Sequence, residues 1–513
     1  MSTKPSPQQQ VALDFVTSGR GNAILVAVAG SGKTTTLVWI CQKLQGSVAF
    51  AAYNKKIADE ITTRLSQSGV DTRRVRSGTF HSFGFAAWRR VAPNVKVDGD
   101  KISKLMEARE IPEEYREFTK ELVSLAKQRA VGILSRTEDP NAWREIVDHF
   151  EMEDKLAGDG LSLEGIDSMV ETGIRYAITI LQDSIAQDGE VIDFDDMIYA
   201  PLIHNVRMWQ NDWVLIDEAQ DTNPARRALA RKMLKPGGRL IAVGDPRQAI
   251  YGFTGADSDS LDLIRDEFSC RDLPLTVTYR CPKSIVALAR NWVSHIEAHD
   301  SAPDGNVRNI DLEDFAKEDL QPTDAILCRN TAPLVEMAFQ LIRRRVACHV
   351  EGREIGAGLL ALANKWKSAR TIGTLRKRLR EYLDKEVERL MAKGAEAKAA
   401  ALTDRVDTLN VLMDGLPDDE KVDRLREVIN GMFRDTNGGH SQTVTLSTVH
   451  KSKGREWDRV YLLGRNRYMP SPFARQVWQM EQEDNLIYVA VTRAKRELVE
   501  VVVPVAVRKG GGR

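Results

Sequence analysis

The sequence predicts an α/β protein built from two parallel-sheet domains, each interrupted by a helical insertion. Three observations carry that expectation. Short apolar runs at 24–28, 48–53, 213–217 and 239–245 are separated by helix-patterned stretches, as parallel strands with crossover helices require. The plan recurs at 325–328, 444–449 and 460–463. Finally, the run 213–217 ends against Glu218. An apolar run that stops at two adjacent carboxylates is a buried parallel strand delivering acids to the edge of a sheet.

Taken in order, strands at 24–28 and 48–53 are each followed by a helix. Residues 94–188 are charged, helix-patterned and poor in strand signals, so they read as an insertion. The first domain is then 1–93 and 189–272, with 94–188 inserted. The second is 273–356 and 438–513, with 357–437 inserted. Within that second insertion, Leu375, Leu379, Tyr382, Leu383, Val387, Leu390 and Met391 recur at helical spacing. Gly394 marks a turn, and Leu402, Val406, Leu409 and Leu412 return. Two readings stand for this pattern, an antiparallel helical arm and an ordinary core helix pair.

Composition narrows the class. The 513 residues suffice for two to four domains, and 42% are apolar. Lysine plus arginine (73) equals aspartate plus glutamate (73), so any nucleic-acid contact must use local patches. Candidates are Arg73-Arg74-Arg76, Arg89-Arg90 and Arg343-Arg344-Arg345, each of which also reads as a solvated face. The five cysteines show no paired spacing and no histidine clusters with them, which argues against a zinc site or a disulfide framework. A reduced, cytoplasmic setting is expected. The polar first ten residues argue against a signal peptide, and no apolar stretch is long enough to cross a bilayer.

The chemistry sits at the strand ends. Residues 27–34, Ala-Val-Ala-Gly-Ser-Gly-Lys-Thr, follow a strand and open a helix. Backbone N–H groups of Gly30, Ser31 and Gly32 can wrap phosphates there, aided by the helix N-terminus. Lys33 is placed for the β/γ-phosphates and Thr34 for Mg²⁺. Ala27 stands where the pattern has its first glycine. Asp217 would hold the Mg²⁺ ion through water, and Glu218 would orient and deprotonate an attacking water. Ser6-Pro7-Gln8-Gln9 reads as a helix capping box, or as a glutamine placed to read adenine.

Eight signatures in all, these two included, occur in one order: AVAGSGKT (27–34), YNKKIADE (53–60), TFHS (79–82), DEAQDTN (217–223), GDPRQAIYGFTGA (244–256), TYRCP (278–282), STVHKSKGREWD (447–458) and YVAVTRAK (488–495). In these the chain resembles the superfamily 1 DNA helicases of the UvrD/Rep/PcrA type. YNK, the asparagine of Asn485-Leu-Ile-Tyr488 and the overall size are most similar to the F-box DNA helicase branch and small phage or bacterial relatives.

The resemblance implies two RecA-like domains that bind ATP and Mg²⁺ between them. It implies phosphate contacts from Gly30 to Thr35, γ-phosphate sensing by Gln248, and two γ-phosphate arginines, Arg280 and Arg493. It places Tyr279 and Gln9 on adenine and Glu456 near the ribose. For DNA it implies Tyr53, Asn54, Thr79, His81, Tyr251, Phe253, Thr448 and His450. Phe253 replaces the usual tryptophan, Ala52 a stacking phenylalanine, and Thr254 a DNA-contacting arginine.

The implied activity is ATP-driven 3′-to-5′ movement on single-stranded DNA with unwinding at single/double-strand junctions. The alternative is a translocase that displaces bound proteins without efficient unwinding. Recombinase and replication proteins are the candidate partners, in DNA repair, replication or recombination. The expected form is a monomer or weak oligomer, cytoplasmic, nucleoid-associated or phage-encoded in a bacterial host. Relatives carry a larger accessory subdomain at 357–437 and a strand-separating hairpin after the last signature, for which 496–513 reads as too short.

Overall fold

The computed structural model describes residues 4–150, 152–156, 163–250, 259–366, 368–392, 396–433, 443–474 and 476–504. The chain divides into two units, Met1–Thr276 and Val277–Arg513.

In the first unit six strands form one parallel sheet: β1 (Asn22–Ala27), β2 (Val48–Ala52), β3 (Val75–Thr79), β6 (Asn211–Ile216), β7 (Leu234–Gly244) and β8 (Cys270–Leu275). Between them in the chain, β4 (Lys96–Val97) and β5 (Val191–Ile192) make a separate two-stranded pair. The spatial order is β3-β2-β6-β7-β1-β8. Successive strand side chains point to opposite faces, and here both faces are covered. Ala23, Leu25, Phe50, Leu215 and Val243 pack under α1 (Pro7–Ser18), α2 (Lys33–Lys43) and α3 (Lys55–Gln67). Ile24, Ala49, Ala51, Val214, Ile216 and Ala242 pack on the other side, under α4 (Phe80–Trp88) and the later helices α9 (Asp196–Ile203), α10 (Pro224–Lys232) and α11 (Ser260–Phe268). Two covered faces explain why these strands read as unbroken apolar runs.

Four helices lie between α4 and α9: α5 (Lys101–Ala108), α6 (Glu113–Gln128), α7 (Pro140–His149) and α8 (Leu163–Gln187). They share a core of their own around Phe118, Leu122, Trp143, Ile146, Val170 and Leu181. A buried ionic cluster fastens this core to α9. Lys101 Nζ donates to Asp188 Oδ1 (2.8 Å), Asp196 Oδ2 (2.8 Å) and the Ser184 carbonyl (2.9 Å). Lys127 Nζ lies 2.6 Å from both Asp193 and Asp196. His204 Nε2 meets the other oxygen of Asp188 at 3.0 Å.

The second unit repeats the architecture. After the short pair β9 (Val277–Thr278) and β10 (Glu297–Ala298) come β11 (Asn306–Asp311), β12 (Asp324–Cys328), β13 (Cys348–Val350), β14 (Val444–Thr448), β15 (Trp457–Leu463) and β16 (Ala494–Val502). They form a parallel sheet in the order β11-β16-β15-β12-β14-β13. Helices Ile372–Ala392 and Glu396–Asp414 pack against each other. Their Leu375, Leu379, Val406, Leu409 and Leu412 join one core with Ile326, Leu334, Leu446 and Val501. The Asp404 carboxylate accepts the N–H groups of Thr331 and Ala332 at 2.9–3.1 Å, which caps the helix Thr331–Arg343. The pair is therefore integrated with the sheet's core at this end. Gly394 lies outside the described residues. The stretch after the last signature supplies β16, an inner strand paired with both β11 and β15.

Candidate active site

Parallel strands bring all their C-terminal ends to one edge of the sheet. In the first unit that edge collects the loop after β1, Tyr53 after β2, Asp217 and Glu218 after β6, and Asp245 after β7. Gly30 and Gly32 take φ of +73° and +80°, a region that excludes most side chains, so the loop can double back and launch α2 at Lys33. Ser6 and Gln9 form the full capping box at the start of α1. Gln9 is 3% exposed and its Nε2 donates to Thr36 Oγ1 at 3.0 Å, bracing the first turn of α2. Ser31 Oγ is buried and finds no hydrogen-bond partner among the described residues. An orphaned hydroxyl inside a phosphate-type loop is a donor waiting for an oxyanion.

Lys33 Nζ donates to Glu218 Oε2 at 3.0 Å, and Thr34 Oγ1 lies 3.3 Å from Asp217 Oδ2. Burial opposes the Lys33 charge, but Glu218, Asp245 and Asp217 outweigh it and hold the ammonium above the ordinary lysine range. Burial, reinforced by the charge of Glu218, pushes Asp217 up to about 7. Burial also raises Asp245. Three carboxylates thus crowd one ammonium, an excess of negative charge that a divalent cation would neutralise. The Thr34 hydroxyl and the Asp217 carboxylate are the hard oxygen donors Mg²⁺ takes. Glu218 sits in the left-handed region, φ +52° and ψ +48°. A non-glycine residue held there carries strain typical of functional sites. Gln248 joins the group through Asp245, whose Oδ2 accepts its Nε2 at 2.7 Å.

Of the first-unit residues assigned to DNA, Tyr53 and His81 line a cavity with Asp217 and Glu218, and Asn54 and Thr79 adjoin them in sequence. Asn54 caps α3, accepting from the Ile57 N–H at 3.0 Å, and Thr79 caps α4, accepting from the Ser82 N–H at 3.1 Å. Tyr53 and His81 line a cavity of about 190 Å³ with Lys127, Gln128, Asp195, Asn223 and Arg226. Burial, then the Arg226 charge, takes His81 down to about 4, so it is neutral near pH 7. Burial, then Asp221, takes Tyr53 up to about 12. Arg226 lies 5.9 Å from the Tyr53 ring centre and donates to the Asp221 carbonyl at 2.7 Å. Tyr251, Phe253 and Thr254 lie outside the described residues.

In the second unit Arg280 Nε donates to Glu456 Oε2 at 2.6 Å, and its Nη1 to the Thr492 carbonyl at 3.3 Å. Arg493 is 1% exposed and donates to the carbonyls of Val489 (2.8 Å) and Arg455 (3.1 Å). Three predicted residues, Arg280, Glu456 and Arg493, are therefore neighbours. Tyr279 faces the His299 ring at 4.9 Å. Thr448 ends β14, and burial, with Arg329 and Lys453 nearby, takes His450 down to about 3.

The UvrD/REP helicase N-terminal domain model matches residues 6–269, about half the chain. The chain belongs to the UvrD/REP helicase family. The UvrD-like helicase C-terminal domain model matches residues 363–502. Among individual UvrD/REP relatives, a probable DNA helicase II homolog of Mycoplasma pneumoniae is 26% identical, covering 59% of this chain and 44% of that protein. The ATP-dependent DNA helicase Rep of Escherichia coli is also 26% identical, covering 56% and 43%. The putative ATP-dependent DNA helicase YjcD of Bacillus subtilis is 24% identical, covering 95% and 77%. The chain thus spans less than half the length of the first two. Among the described residues no helix is long and apolar enough to cross a membrane.

Sequence reading gave no role to several residues the fold draws in. Gln8 holds Thr276 at the end of β8 through two hydrogen bonds, 2.7 and 2.8 Å. Gln220, Arg226 and Asp245 line or bridge the site. Gln220 and Asp245 fall inside quoted signatures, so their position in a motif was the available signal.

Proposed function

We propose that this chain is an ATP-dependent DNA helicase that translocates 3′-to-5′ on single-stranded DNA. The observation that carries the reading is the meeting, at one sheet edge, of the Lys33–Glu218 and Thr34–Asp217 pairs with Gln248 linked through Asp245. Membership of the UvrD/REP helicase family supports the DNA part, and the three relatives named above carry DNA helicase in their names, two of them as ATP-dependent. Thr34 and Asp217 would hold Mg²⁺, which would supply charge neutralisation at the phosphates. The glycine loop and Lys33 orient the triphosphate. Glu218 takes a proton from the attacking water once phosphate draws Lys33 away from it. Arg280 and Arg493 are assigned to the charge that develops on the transferred phosphoryl group. For Arg280 this requires giving up Glu456.

Tyr53, Asn54, Thr79, His81, Tyr251, Phe253, Thr448 and His450 are assigned to the strand, where base stacking on an aromatic ring contributes about 1–3 kcal/mol. Neutral His81 and His450 suit hydrogen bonding rather than charge pairing. Residues 1–93 with 189–272, and 273–356 with 438–513, are the two motor domains in this reading.

The test is strand separation on duplexes bearing a 3′ or a 5′ single-stranded tail, with ATP and Mg²⁺ and with Lys33→Ala as control. Unwinding from the 3′ tail alone is expected. Unwinding from the 5′ tail alone would overturn the polarity. DNA-stimulated hydrolysis with no unwinding would replace the helicase with a protein-displacing translocase.

A further inference from the structure

The turn after the two acids is clamped from two sides. Ala219–Asp221 is a single 3₁₀ turn. Ser260 Oγ, at the start of α11, donates within 3.0 Å of the Ala219 and Thr222 carbonyls and meets Thr222 Oγ1 at 2.9 Å. The turn is thereby fixed to a helix. Inside it lies Gln220, 1% exposed.

A buried primary amide has a donor end and an acceptor end, and both must find partners. Gln220 Nε2 donates to Glu218 Oε2 at 2.5 Å. Gln220 Oε1 accepts the backbone N–H of Asp245 at 3.1 Å. Asp245 in turn holds Gln248 at 2.7 Å. A continuous hydrogen-bonded path therefore runs from Lys33 through Glu218, Gln220 and Asp245 to Gln248. Space for the amide is reserved: a Cβ on Gly244 would lie 2.6 Å from Gln220 Oε1.

We infer that Gln220 is a positioning residue that joins the general base to the γ-phosphate sensor. Its N–H sets the rotation of the Glu218 carboxylate by fixing Oε2, the oxygen that Lys33 also binds. Its carbonyl ties that carboxylate to the segment carrying Gln248, so a shift of that segment re-aims the base. Hydrolysis then becomes fast only when Gln248 has engaged phosphate. The inference rests on the proposed function, in which Glu218 is the base.

Two substitutions separate the ends of the amide. Gln220→Glu keeps an acceptor for the Asp245 N–H but turns a carboxylate toward Glu218. Gln220→Ala removes both contacts. Steady-state ATP hydrolysis by the full chain, with and without oligo-dT, is compared for wild type, both variants and Glu218→Gln. Both variants should lower kcat about ten- to a hundredfold, the kinetic equivalent of losing a hydrogen bond to a charged group. KM for ATP should stay within about twofold, because the contact acts on the base and not on phosphate binding. Stimulation by oligo-dT should fall in parallel.

Unchanged kcat in Gln220→Glu would overturn the inference. So would a fall in kcat/KM that resides wholly in KM, which would make Gln220 a part of the binding pocket. If Gln220→Ala loses its thermal transition, Gln220→Glu alone decides. Absence of hydrolysis in wild type, or full hydrolysis in Glu218→Gln, would defeat the site reading itself, and those two proteins report that independently of Gln220.

Discussion

Replacing Lys101 with methionine should destabilise the first unit strongly and in a pH-dependent way. Lys101 and the carboxylates of Asp188 and Asp196 are each at most 1% exposed at the side chain. All three ammonium protons are used. After the substitution Asp196 still has the Lys127 ammonium at 2.6 Å, whereas Asp188 keeps the His204 ring at 3.0 Å in place of a buried ammonium, so the deficit falls mainly on Asp188. Removing one partner of a buried pair costs about 3–5 kcal/mol. Burial, with Asp196 adjacent, already takes Asp188 up to about 6, and Lys101 is the chief opposing charge. Without it the carboxyl rises further.

The sign follows from linkage. A folded-state pKa above the unfolded value means stability is lost as pH rises through the window between them. Below pH 6 the acid is protonated in both folded proteins, and the difference between them is flat. As pH rises through and beyond 6 the wild-type acid ionises before the variant's does, so the gap widens by up to about 1.4 kcal/mol per pH unit. Urea unfolding at pH 6, 7 and 8, followed by far-ultraviolet circular dichroism, measures this directly. A loss below about 1 kcal/mol at pH 7, or a loss that does not change from pH 6 to 8, would refute the reasoning. Adding Asp188→Asn to the variant should remove most of the pH dependence.

Three other outcomes are expected. Glu218→Gln should lower ATP turnover about 10²–10⁴-fold, the usual contribution of a general base, with nucleotide binding retained in a fluorescent-analogue titration. Arg280→Ala should lower kcat about 10³-fold or more, measured beside an unchanged melting temperature, since its Glu456 partner is nearly half exposed and tolerates its loss. Glu318, taken down to about 2 by its hydrogen bonds with Arg308 and, against a smaller burial effect, with Tyr461, stabilises the second unit above the unfolded carboxyl pKa. Glu318→Gln should therefore cost about 1–2 kcal/mol at pH 7, and the cost should fade as pH drops from about 4.5 toward 2 in thermal melts.

Most inner strands were legible because they are buried on both faces, which leaves an unbroken apolar signal such as 213–216, whereas the inner strand β16, Ala-Lys-Arg-Glu-Leu-Val-Glu-Val-Val, keeps half-exposed charged positions and was missed. The edge strands β3 (Val-Arg-Ser-Gly-Thr) and β8 (Cys-Arg-Asp-Leu-Pro-Leu) gave none, since an edge strand keeps polar side chains. The adjacency of Lys33 and Thr34 to Asp217 and Glu218 was legible because parallel topology sends every strand end to one edge. The Lys101–Lys127–Asp188–Asp196 cluster was not. Its members lie up to 95 residues apart, and each alone reads as a solvated helix face. The inward turn of Arg493 was equally hidden, because a motif fixes a residue's neighbours in sequence and leaves open which way its guanidinium points.

The strand order of the first sheet also sets a timetable for synthesis. β1 pairs with β7 and β8, which lie more than 200 residues downstream. At a ribosomal pace of about 5–20 residues per second, β1 waits about 10–40 s for its partners. The helices 101–187, whose contacts are local, can collapse in the meantime. During that interval β2 can pair with β3, but β1 leaves the ribosome as an unpaired apolar segment, the species chaperones capture. A fragment ending before Cys270 would lack β8 and leave that edge of β1 unpaired, and should accumulate as aggregate.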